Sequence, residues 1–480
     1  MNFLTSLFQT FLLLLFFMGC ADKAATTQTI ASTEHSGSKK MNVLFLIVDD
    51  WNSYVTKGTF PGIKTPELDR FAETAIHFQN AYCAAPVCGS SRAAVFSGLY
   101  PHTTGNYLNG SDPWRQEPLN TTETLPELFK RSGYETWGRG KLYHAKLDEG
   151  REEKNWDNRP LYAGGFGPFH PEEDQMIGKF WGYTEYMGPD EDFPDVKNVN
   201  AAIEYLNSDI DKPFFMALGL WRPHTPFVAP KRFFDLYEPE DIAAPPPGWK
   251  EGDLDDVPAE GHRLSKIWGE RWDQTGGSNP SDWNKLLHGF AANTSFADWS
   301  IGRVLEALDK SEYADNTMVI FFSDNGYHMG EKDHFEKATL WEMSAYTPIM
   351  IRMPDRAHAG VVTETPINSI DFFPTLMDYC GLQQPDHNPE GLSLRPLLED
   401  PLAEWDRPSI TTYGVDIFSA RSPRYRYISY PDGSEELYDH ANDPYEWSNL
   451  ANDPKMELIK NELKVWKPDS FEASNGGRDG

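Results

Sequence analysis

Two pairs of polar side chains lie far apart in the sequence, and each pair directly follows an apolar stretch. Asp49 and Asp50 end the run NVLFLIVDD, and Asp324 and Asn325 follow TMVIFFS. These side chains offer only oxygen ligands, which suit calcium or magnesium rather than zinc. The alternative is that each pair caps a following turn or helix, as Asp and Asn often do. The two pairs predict a site for a hard divalent cation.

A third stretch, YCAAPVCGSSRAAVFSGLYPHTTG at residues 82–105, places a cysteine and an arginine among small residues. It resembles the signature of the type I sulfatases, in which C-x-P-x-R is followed several residues later by Thr-Gly. Cys88 and Arg92 match that signature, whereas Ser90 and Ser97 stand where the family has proline and threonine. The alternative for Cys88 is an ordinary buried thiol. The surrounding motifs favour the resemblance.

The resemblance implies both a modification and a cofactor. In the family the matched cysteine is oxidised to formylglycine, the catalytic aldehyde, so a formylglycine-generating maturation enzyme would be a partner of this chain. The resemblance also implies one bound divalent cation, usually calcium, with magnesium as the alternative. Its ligands would be Asp49, Asp50, Cys88, Asp324 and Asn325. The implied activity is hydrolysis of sulfate esters.

Sulfate esters carry negative charge on the group under attack, so a hydrolase must supply several cations. Arg92, Lys141 and Lys337 are the candidates. Lys141 begins the sequence KLYH, which matches the family's Lys-x-x-His element in a form close to that of iduronate 2-sulfatase-like bacterial polysaccharide sulfatases. Lys337 lies thirteen residues beyond Asp324, as the resemblance predicts for the sulfate-binding lysine. Any one lysine alone would more often be a solvated residue, but their joint placement favours a site.

Two histidines complete the predicted catalytic set. His144 ends the Lys-x-x-His element, and His224 closes the stretch PFFMALGLWRPH. The resemblance implies that His224 protonates the departing alcohol, assisted by Lys337, and that Asp324 acts as the base for the attacking hydroxyl. It implies that His144 is the base for the later release of sulfate. These steps combine covalent catalysis with general acid and base catalysis.

The elements around these residues predict the fold. Apolar stretches at 43–48, 213–220 and 317–322 predict buried strands, and amphipathic stretches at 122–132 and 301–308 predict helices. Strands that alternate with helices are typical of a mostly parallel sheet flanked by helices. The candidate residues follow strand ends, where open α/β sheets bind ligands. The resemblance implies that this α/β fold is of the alkaline-phosphatase type.

The remaining segments predict the domain organisation. Residues 148–195 and 239–281 lack periodicity and predict long loops, whereas β-rich segments follow residue 400. We therefore predict a catalytic domain at 41–399 and a small C-terminal subdomain with an antiparallel sheet at 400–480. Cys83 and Cys380 are expected to be packed thiols rather than a disulfide scaffold.

The N-terminus predicts export. Residues 1–20 carry a short apolar run that ends at Gly19-Cys20, which is similar to a lipoprotein signal peptide. Cys20 would be lipidated, and the polar residues 21–40 would form a flexible tether. The predicted location is the periplasm or the cell surface, with a cleaved secretory signal as the alternative. Membrane contact would occur only through the lipid.

Charge and the resemblance together predict the substrate class. The 480 residues include 43 basic and 73 acidic side chains, for a net charge of −30. This charge argues against nucleic acid or an anionic membrane surface as a partner. The predicted substrate is a sulfated carbohydrate of the ulvan or glycosaminoglycan type. Alternatives are a phosphate or phosphonate ester hydrolase and a lipoprotein that binds sulfated glycan without turnover.

Overall fold

The computed structural model describes residues 40–476 except 111, 145–146, 159–163, 239 and 278. The predicted signal peptide at 1–20, with Cys20, lies outside the described residues, as does nearly all of the predicted tether at 21–40. The proposed boundary between residues 399 and 400 stays a prediction. Within the described part of the chain, no helix is both long and apolar enough to cross a membrane.

Strands and helices alternate along most of the described chain. The strands are β1 Asn42–Asp49, β2 Ile76–Phe78, β3 Ala81–Tyr82, β4 Glu135–Gly140, β5 Tyr183–Tyr186, β6 Phe214–Pro223, β7 Phe227–Pro230, β8 Thr317–Ser323, β9 His328–Met329, β10 Phe335–Glu336, β11 Ile349–Arg352, β12 Val362–Thr363, β13 Ile367–Asn368, β14 Ser409–Thr412, β15 Phe418–Arg421, β16 Tyr425–Ser429 and β17 Glu435–Asp439. The α-helices are α1 Ser53–Thr56, α2 Pro66–Ala72, α3 Cys88–Ser97, α4 Pro101–Thr104, α5 Leu125–Arg131, α6 Glu149–Asn155, α7 Pro194–Leu206, α8 Lys231–Phe234, α9 Ala259–Ser265, α10 Gly269–Thr275, α11 Pro280–Lys310, α12 Glu342–Ala345, α13 Phe372–Cys380, α14 Arg395–Glu399 and α15 Glu457–Lys464. Short 3₁₀ helices cover Pro113–Arg115, Glu172–Asp174, Asp190–Asp192, Ala314–Asn316, Glu331–Asp333, Ser369–Asp371 and Pro454–Met456.

The central sheet has seven strands in the order β12-β2-β11-β8-β1-β6-β4. β1 pairs in parallel with both β6 and β8, β4 pairs in parallel with β6, and β11 alone runs antiparallel to its neighbours among these described strands. The sheet is therefore mostly parallel, as predicted. All eight residues of β1 are buried, which explains the uninterrupted apolar run, because a strand covered on both faces has no solvent side.

Helices cover both faces of the sheet. Alternate β1 side chains point to opposite sides, so they pack in two different cores. Phe45 packs in one core with Phe96 of α3 and Phe372 of α13. Leu46 packs in a second core with Ile301 of α11. This arrangement confirms the predicted helix-flanked α/β architecture.

The C-terminal sheet consists of β14 to β17, all antiparallel to their neighbours. Phe418 and Tyr427 on this sheet pack in one apolar cluster with Ala94 of α3 and Ile370. The predicted small antiparallel sheet is confirmed, with β15 as a strand that the sequence pattern did not indicate. Its contact with α3 supports the helix that carries Cys88.

The prediction of long loops was wrong in two segments. Residues 148–195 contain α6 and β5, and residues 239–281 contain α9 and α10. These elements have only four to seven residues, so they show too few turns or alternations for a periodic pattern. The amphipathic stretch at 301–308 belongs to the much longer α11, of 31 residues.

Candidate active site

The two polar pairs meet at one edge of the central sheet. β1 and β8 are adjacent and parallel, so the residues after them leave the sheet side by side. The Asn325 side-chain amide donates a 2.7 Å hydrogen bond to Asp50 Oδ1. The backbone N–H of Asp50 donates to Asp324 Oδ1 at 3.3 Å. The structure thus brings together residues that are 274 positions apart.

Cys88 is the first residue of α3 and lies against the acidic pairs. Its thiol donates to Asp49 Oδ1 at 3.4 Å. A Cβ on the next residue, Gly89, would lie 2.7 Å from Asn109 Oδ1, so a larger residue there would require the Asn109 side chain to shift. Ligand atoms of four side chains all lie within 4.8 Å of one another: Asp49, Asp50, Cys88 and Asp324. We call this group, together with Asn325 and the three cations described next, the Cys88 cluster.

Three buried cations pair with the three carboxylates. Arg92 Nε donates to Asp324 Oδ2 at 2.7 Å, and the Lys141 ammonium forms an ion pair with Asp49. The Lys337 ammonium lies 2.6 Å from Asp50 Oδ1 and 2.7 Å from Cys88 Sγ. All three cations are at most 2% exposed. The predicted anion-binding side chains therefore surround the predicted nucleophile.

The pKa values of Asp49 and Asp50 are shifted in opposite directions. Burial raises the pKa of Asp50 to about 7, because the attraction of Lys337 is offset by repulsion from Asp49 and Asp324. Burial acts in the same direction on Asp49, but the charges of Lys141, Lys337 and Arg92 outweigh it and hold the pKa of Asp49 below its usual value. Of these two carboxyls, Asp50 is therefore the one less compensated by protein cations.

The Cys88 cluster fits a hard divalent cation. Asp50 Oδ2 and Asn325 Oδ1 are buried, and neither oxygen has a hydrogen-bond partner among the described residues. Buried oxygens without partners are costly, and a cation bound by oxygen ligands would satisfy both. Asp49 and Asp324 supply further carboxylate oxygens in the same group. The donor set matches the ligands predicted from the sequence.

His224 and His144 lie at different depths in the site. His224 follows β6, and its Nε2 lies 3.6 Å from Asp50 Oδ2. Burial and the charges of Lys337 and Lys141 lower its pKa, so the imidazole is neutral. His144 is exposed, yet its side chain faces Gly89, next to Cys88. Loss of hydration beside Gly89, together with the charges of Lys141 and Lys337, lowers the pKa of His144 to about 3.

The pattern of the sequence did not indicate Phe166, which lies in an aperiodic segment. Its ring centre is 4.5 Å from that of His224 and 4.6 Å from that of Trp221. The Lys141 ammonium lies 5.3 Å from the Phe166 ring centre and 5.5 Å from that of Trp221. Arg222, by contrast, is buried and donates a 2.9 Å hydrogen bond to the Phe166 carbonyl. Phe166 therefore forms a wall of the site, and Arg222 positions it.

A second buried group of potential ligands lies near the C-terminal sheet. It contains Glu342, His440 and Glu446, with ligand atoms within 4.8 Å of one another. Arg426 donates to Glu342 at 2.5 Å and to Glu446 at 2.7 Å. Lys57 pairs with the other oxygen of Glu342. We call these five residues the Glu342 cluster; it borders a cavity of about 520 Å³.

The comparison with known families identifies the class of protein. The Sulfatase family profile matches residues 41–382, and the profile of the C-terminal part of N-sulphoglucosamine sulphohydrolase matches residues 330–466. The chain belongs to the sulfatase family and is a hydrolase of sulfuric ester bonds.

Three relatives resemble the chain over most of its length. A sulfatase of Formosa agariphila is 36% identical, with 89% of this chain and 86% of that protein covered. An ulvan-active sulfatase of the same organism is 27% identical, with 93% and 83% covered. Human iduronate 2-sulfatase is 27% identical, with 90% and 94% covered.

Solved structures confirm the fold. The phosphonate monoester hydrolase of Agrobacterium radiobacter superposes with a TM-score of 0.70 at 21% identity, covering 89% of this chain and 94% of that one. A structure in complex with D-glucosamine-2-N,6-O-disulfate superposes with a TM-score of 0.66 at 22% identity, covering 89% and 96%. These likenesses agree with the alkaline-phosphatase-like α/β fold.

Proposed function

We propose that this sulfatase removes sulfate from a sulfated carbohydrate, with Cys88 oxidised to formylglycine and with calcium bound beside it. The observation that carries the proposal is the Cys88 cluster. In it, the ammonium of Lys337 lies 2.7 Å from Cys88 Sγ, at a point where buried carboxylates and cations converge. The proposed cation ligands are Asp49, Asp50, Asp324, Asn325 and the modified Cys88.

The charge balance of the cluster supports an anionic substrate. Three carboxylates face three protein cations, so a divalent cation leaves the bound site with an excess of positive charge. That excess would attract a sulfate ester. When bound, the cation supplies Lewis-acid chemistry, which polarises oxygens and lowers the pKa of a hydroxyl nucleophile. Calcium is the proposed ion, and the oxygen donors also suit magnesium.

Each cation of the protein has a proposed task. Lys337 is close enough to Cys88 to contact both the nucleophile and the incoming sulfate. Arg92 holds Asp324, the proposed base for the attacking hydroxyl, through its 2.7 Å ion pair. Lys141 pairs with Asp49 and faces the cleft wall at Phe166. Together they would stabilise the negative charge on sulfate in the transition state.

The two histidines have different proposed tasks. His224 would protonate the sugar oxygen as it leaves, and His144 would act as the base for sulfate release. His224 is neutral in the substrate-free structure because burial, Lys337 and Lys141 lower its pKa. A bound sulfate anion would offset both charges and raise that pKa, so the imidazole could carry the proton when it is needed.

The test of these tasks varies the leaving group. A sugar alkoxide leaves poorly without a proton, whereas nitrophenolate leaves with little help. His224→Ala is therefore expected to lose about a hundred- to ten-thousand-fold more rate on a sugar sulfate than on nitrophenyl sulfate. His144 would act after the alcohol has left. His144→Ala is therefore expected to reduce the rate by a similar factor on the sugar sulfate and on nitrophenyl sulfate. Equal losses for His224→Ala would contradict its proposed task.

The relatives support carbohydrate as the substrate class. One is named for activity on ulvan and another for iduronate 2-sulfate, and the bound ligand of a structural neighbour is a sulfated glucosamine. We therefore propose a fragment of a sulfated polysaccharide, of the ulvan or glycosaminoglycan type. Sulfate release from a panel of defined sulfated oligosaccharides tests this choice. Release only from aryl sulfates would contradict it.

One alternative function has a specific observation in its favour. The phosphonate monoester hydrolase of Agrobacterium radiobacter shares the fold, and phosphate esters would also suit a cation-rich site. Rates on matched aryl sulfate and aryl phosphate separate the two, and the proposal expects the sulfate to be faster. A protein that binds sulfated glycan without releasing sulfate would instead be a binding lipoprotein.

We further propose export and lipid anchoring at Cys20. The apolar run that ends at Gly19-Cys20 supports this proposal. Cys20→Ser is expected to release the protein from the membrane fraction of a bacterial host. Unchanged membrane association would contradict the anchor.

A further inference from the structure

Three phenylalanines extend from the catalytic cleft to the surface. The ring centre of Phe166 is 5.8 Å from that of Phe180, and Phe180 is 5.3 Å from Phe169. The Lys179 ammonium lies 5.1 Å from the Phe169 ring centre and 5.0 Å from that of Phe180. We call Phe166, Phe169, Phe180 and Lys179 the aromatic rim.

The aromatic rim is held by the two residues that flank Pro223 and His224. Arg222 donates a hydrogen bond to the carbonyl of Phe166, and the Thr225 hydroxyl donates to the carbonyl of Phe180. The rim is therefore placed relative to His224 by side-chain hydrogen bonds from both sides of that histidine to main-chain carbonyls of the rim. Phe166 is the rim residue in contact with His224, and Phe180 is the next ring outward.

The outer part of the rim is open to solvent. Phe169 is 41% exposed and Phe180 is 37% exposed, and Lys179 is exposed as well. Large apolar side chains grouped at the mouth of a cleft often mark a ligand-binding surface. An exposed ammonium beside them is a local cation on a chain whose net charge is −30. The rim thus offers flat apolar faces and one positive charge.

We propose that the aromatic rim binds the carbohydrate part of the substrate and selects a second acidic group on it. The faces of Phe166 and Phe180 would pack against the C–H faces of the sugar that carries the sulfate ester. Lys179 would pair with a carboxylate or a second sulfate further from the scissile bond. This inference deepens the proposed function and rests on it.

The chemistry of the rim distinguishes this ligand from others. A purely apolar leaving group would gain nothing from Lys179, and a free sulfate ion would not reach Phe180. A sugar has apolar C–H faces and polar edges, so it can use both parts of the rim. An ion pair at an exposed lysine contributes modestly, so Lys179 would select among substrates rather than supply most of the affinity.

The experiment compares variants on three substrates that differ in one feature each. These are nitrophenyl sulfate, a neutral monosulfated sugar and a sulfated disaccharide that carries a uronate. Phe180→Ala is expected to lose about tenfold in kcat/KM on both sugars beyond its loss on nitrophenyl sulfate. Lys179→Ala is expected to lower kcat/KM about two- to fivefold more on the uronate substrate than on the neutral sugar.

Two controls separate the effect from general damage. Lys212→Ala removes an exposed lysine just before β6, at the end opposite to His224, and should not change the preference for the uronate substrate. Competitive inhibition by inorganic sulfate reports the sulfate pocket alone. Lys179→Glu should enlarge the effect of Lys179→Ala in the same direction. Repeating the comparison with a disulfated disaccharide that lacks the uronate shows which acidic group is selected.

The outcomes separate this inference from the proposed function. If wild type hydrolyses nitrophenyl sulfate and sugars but Phe180→Ala loses equally on all three substrates, the rim proposal is wrong and the sulfatase proposal stands. If Lys179→Ala, like Lys212→Ala, leaves the preference for the uronate substrate unchanged, the proposed role of Lys179 is likewise wrong and the sulfatase proposal stands. If wild type releases sulfate from none of them, both proposals fall.

Discussion

The Cys88 cluster and the Glu342 cluster are both buried groups of acids and bases, but their oxygens differ. Both bring ligand atoms of at least three side chains within 4.8 Å of one another. In the Cys88 cluster, Asp50 Oδ2 and Asn325 Oδ1 have no hydrogen-bond partner within the described part of the chain. In the Glu342 cluster, the carboxylate oxygens of Glu342 and Glu446 accept hydrogen bonds from the protein.

The difference shows how a binding site is distinguished from a structural ion-pair network. Arg426 of β16 connects Glu342 to Glu446, so the Glu342 cluster ties the C-terminal sheet to α12. Its carboxylates are neutralised by guanidinium and ammonium groups and have no need of a metal. The Cys88 cluster retains buried oxygens without hydrogen-bond partners among the described residues, which is costly unless a ligand binds there.

The largest expected effect is on activity, from a change in the Cys88 cluster. Cys88→Ala should reduce kcat by about a millionfold, as loss of a catalytic nucleophile does elsewhere. Sulfate release from a sugar sulfate measures it. Cys380→Ala is the matched control, because Cys380 is also a buried thiol but is the last residue of α13 and packs in the core away from the Cys88 cluster. A Cys88→Ala enzyme that keeps a tenth of the wild-type activity would show that Cys88 is not the nucleophile.

The next effect is on stability, from a change in the Glu342 cluster. Glu342→Gln leaves the ammonium of Lys57 without its charged partner and Arg426 with Glu446 alone, so it should lower the free energy of unfolding by about 3–5 kcal/mol. Urea denaturation at pH 7 measures the change. Lys57 and Arg421 hold the pKa of Glu342 well below its usual range despite burial. Its contribution is therefore present above the carboxyl pKa of the unfolded chain and declines as pH falls towards the folded value.

Asp50→Asn, measured in the presence of chelator, is the corresponding substitution in the Cys88 cluster. Burial raises the pKa of Asp50 to about 7, so at pH 7 much of this carboxyl is already neutral without the cation. The substitution should therefore cost less than about 1.5 kcal/mol, the value of one ordinary hydrogen bond. Equal costs for Asp50→Asn and Glu342→Gln would erase the difference between the clusters.

A further effect concerns cation binding, and its measurement needs no turnover. Calcium at a hundred times its dissociation constant should stabilise wild type by about 2.7 kcal/mol relative to chelated protein. Thermal unfolding with and without calcium measures the shift. Glu342→Gln should keep the calcium response, whereas Asp50→Asn should lose much of it. If only Glu342→Gln loses the stabilisation by calcium, the cation binds in the Glu342 cluster and not in the Cys88 cluster.

The sequence predicted the centre of the site because local signals position it. Asp49 and Asp324 each follow a run of strand residues, and parallel neighbours place such ends together. Cys88 and Arg92 lie one helical turn apart in α3, so their spacing already puts both near the same edge. The family resemblance then indicated Lys337, which the structure places beside Cys88.

Other parts could not be predicted because their partners are distant and their segments are aperiodic. Glu342 and Arg426 are 84 positions apart, and no local pattern indicates that they meet. Phe166 and Phe180 lie among short elements without helix or strand periodicity, so their approach to His224 is a product of tertiary packing. The aromatic rim therefore became visible only in the structure.

The most direct test of the central claim is peptide mass spectrometry of the Cys88 region after expression with a formylglycine-generating enzyme. The peptide containing Cys88 is expected to carry an aldehyde in place of the thiol, and specific activity is expected to rise in proportion to the converted fraction. The peptides of Cys83 and Cys380 should keep their thiols. A fully active enzyme whose Cys88 remains entirely a thiol would contradict the account.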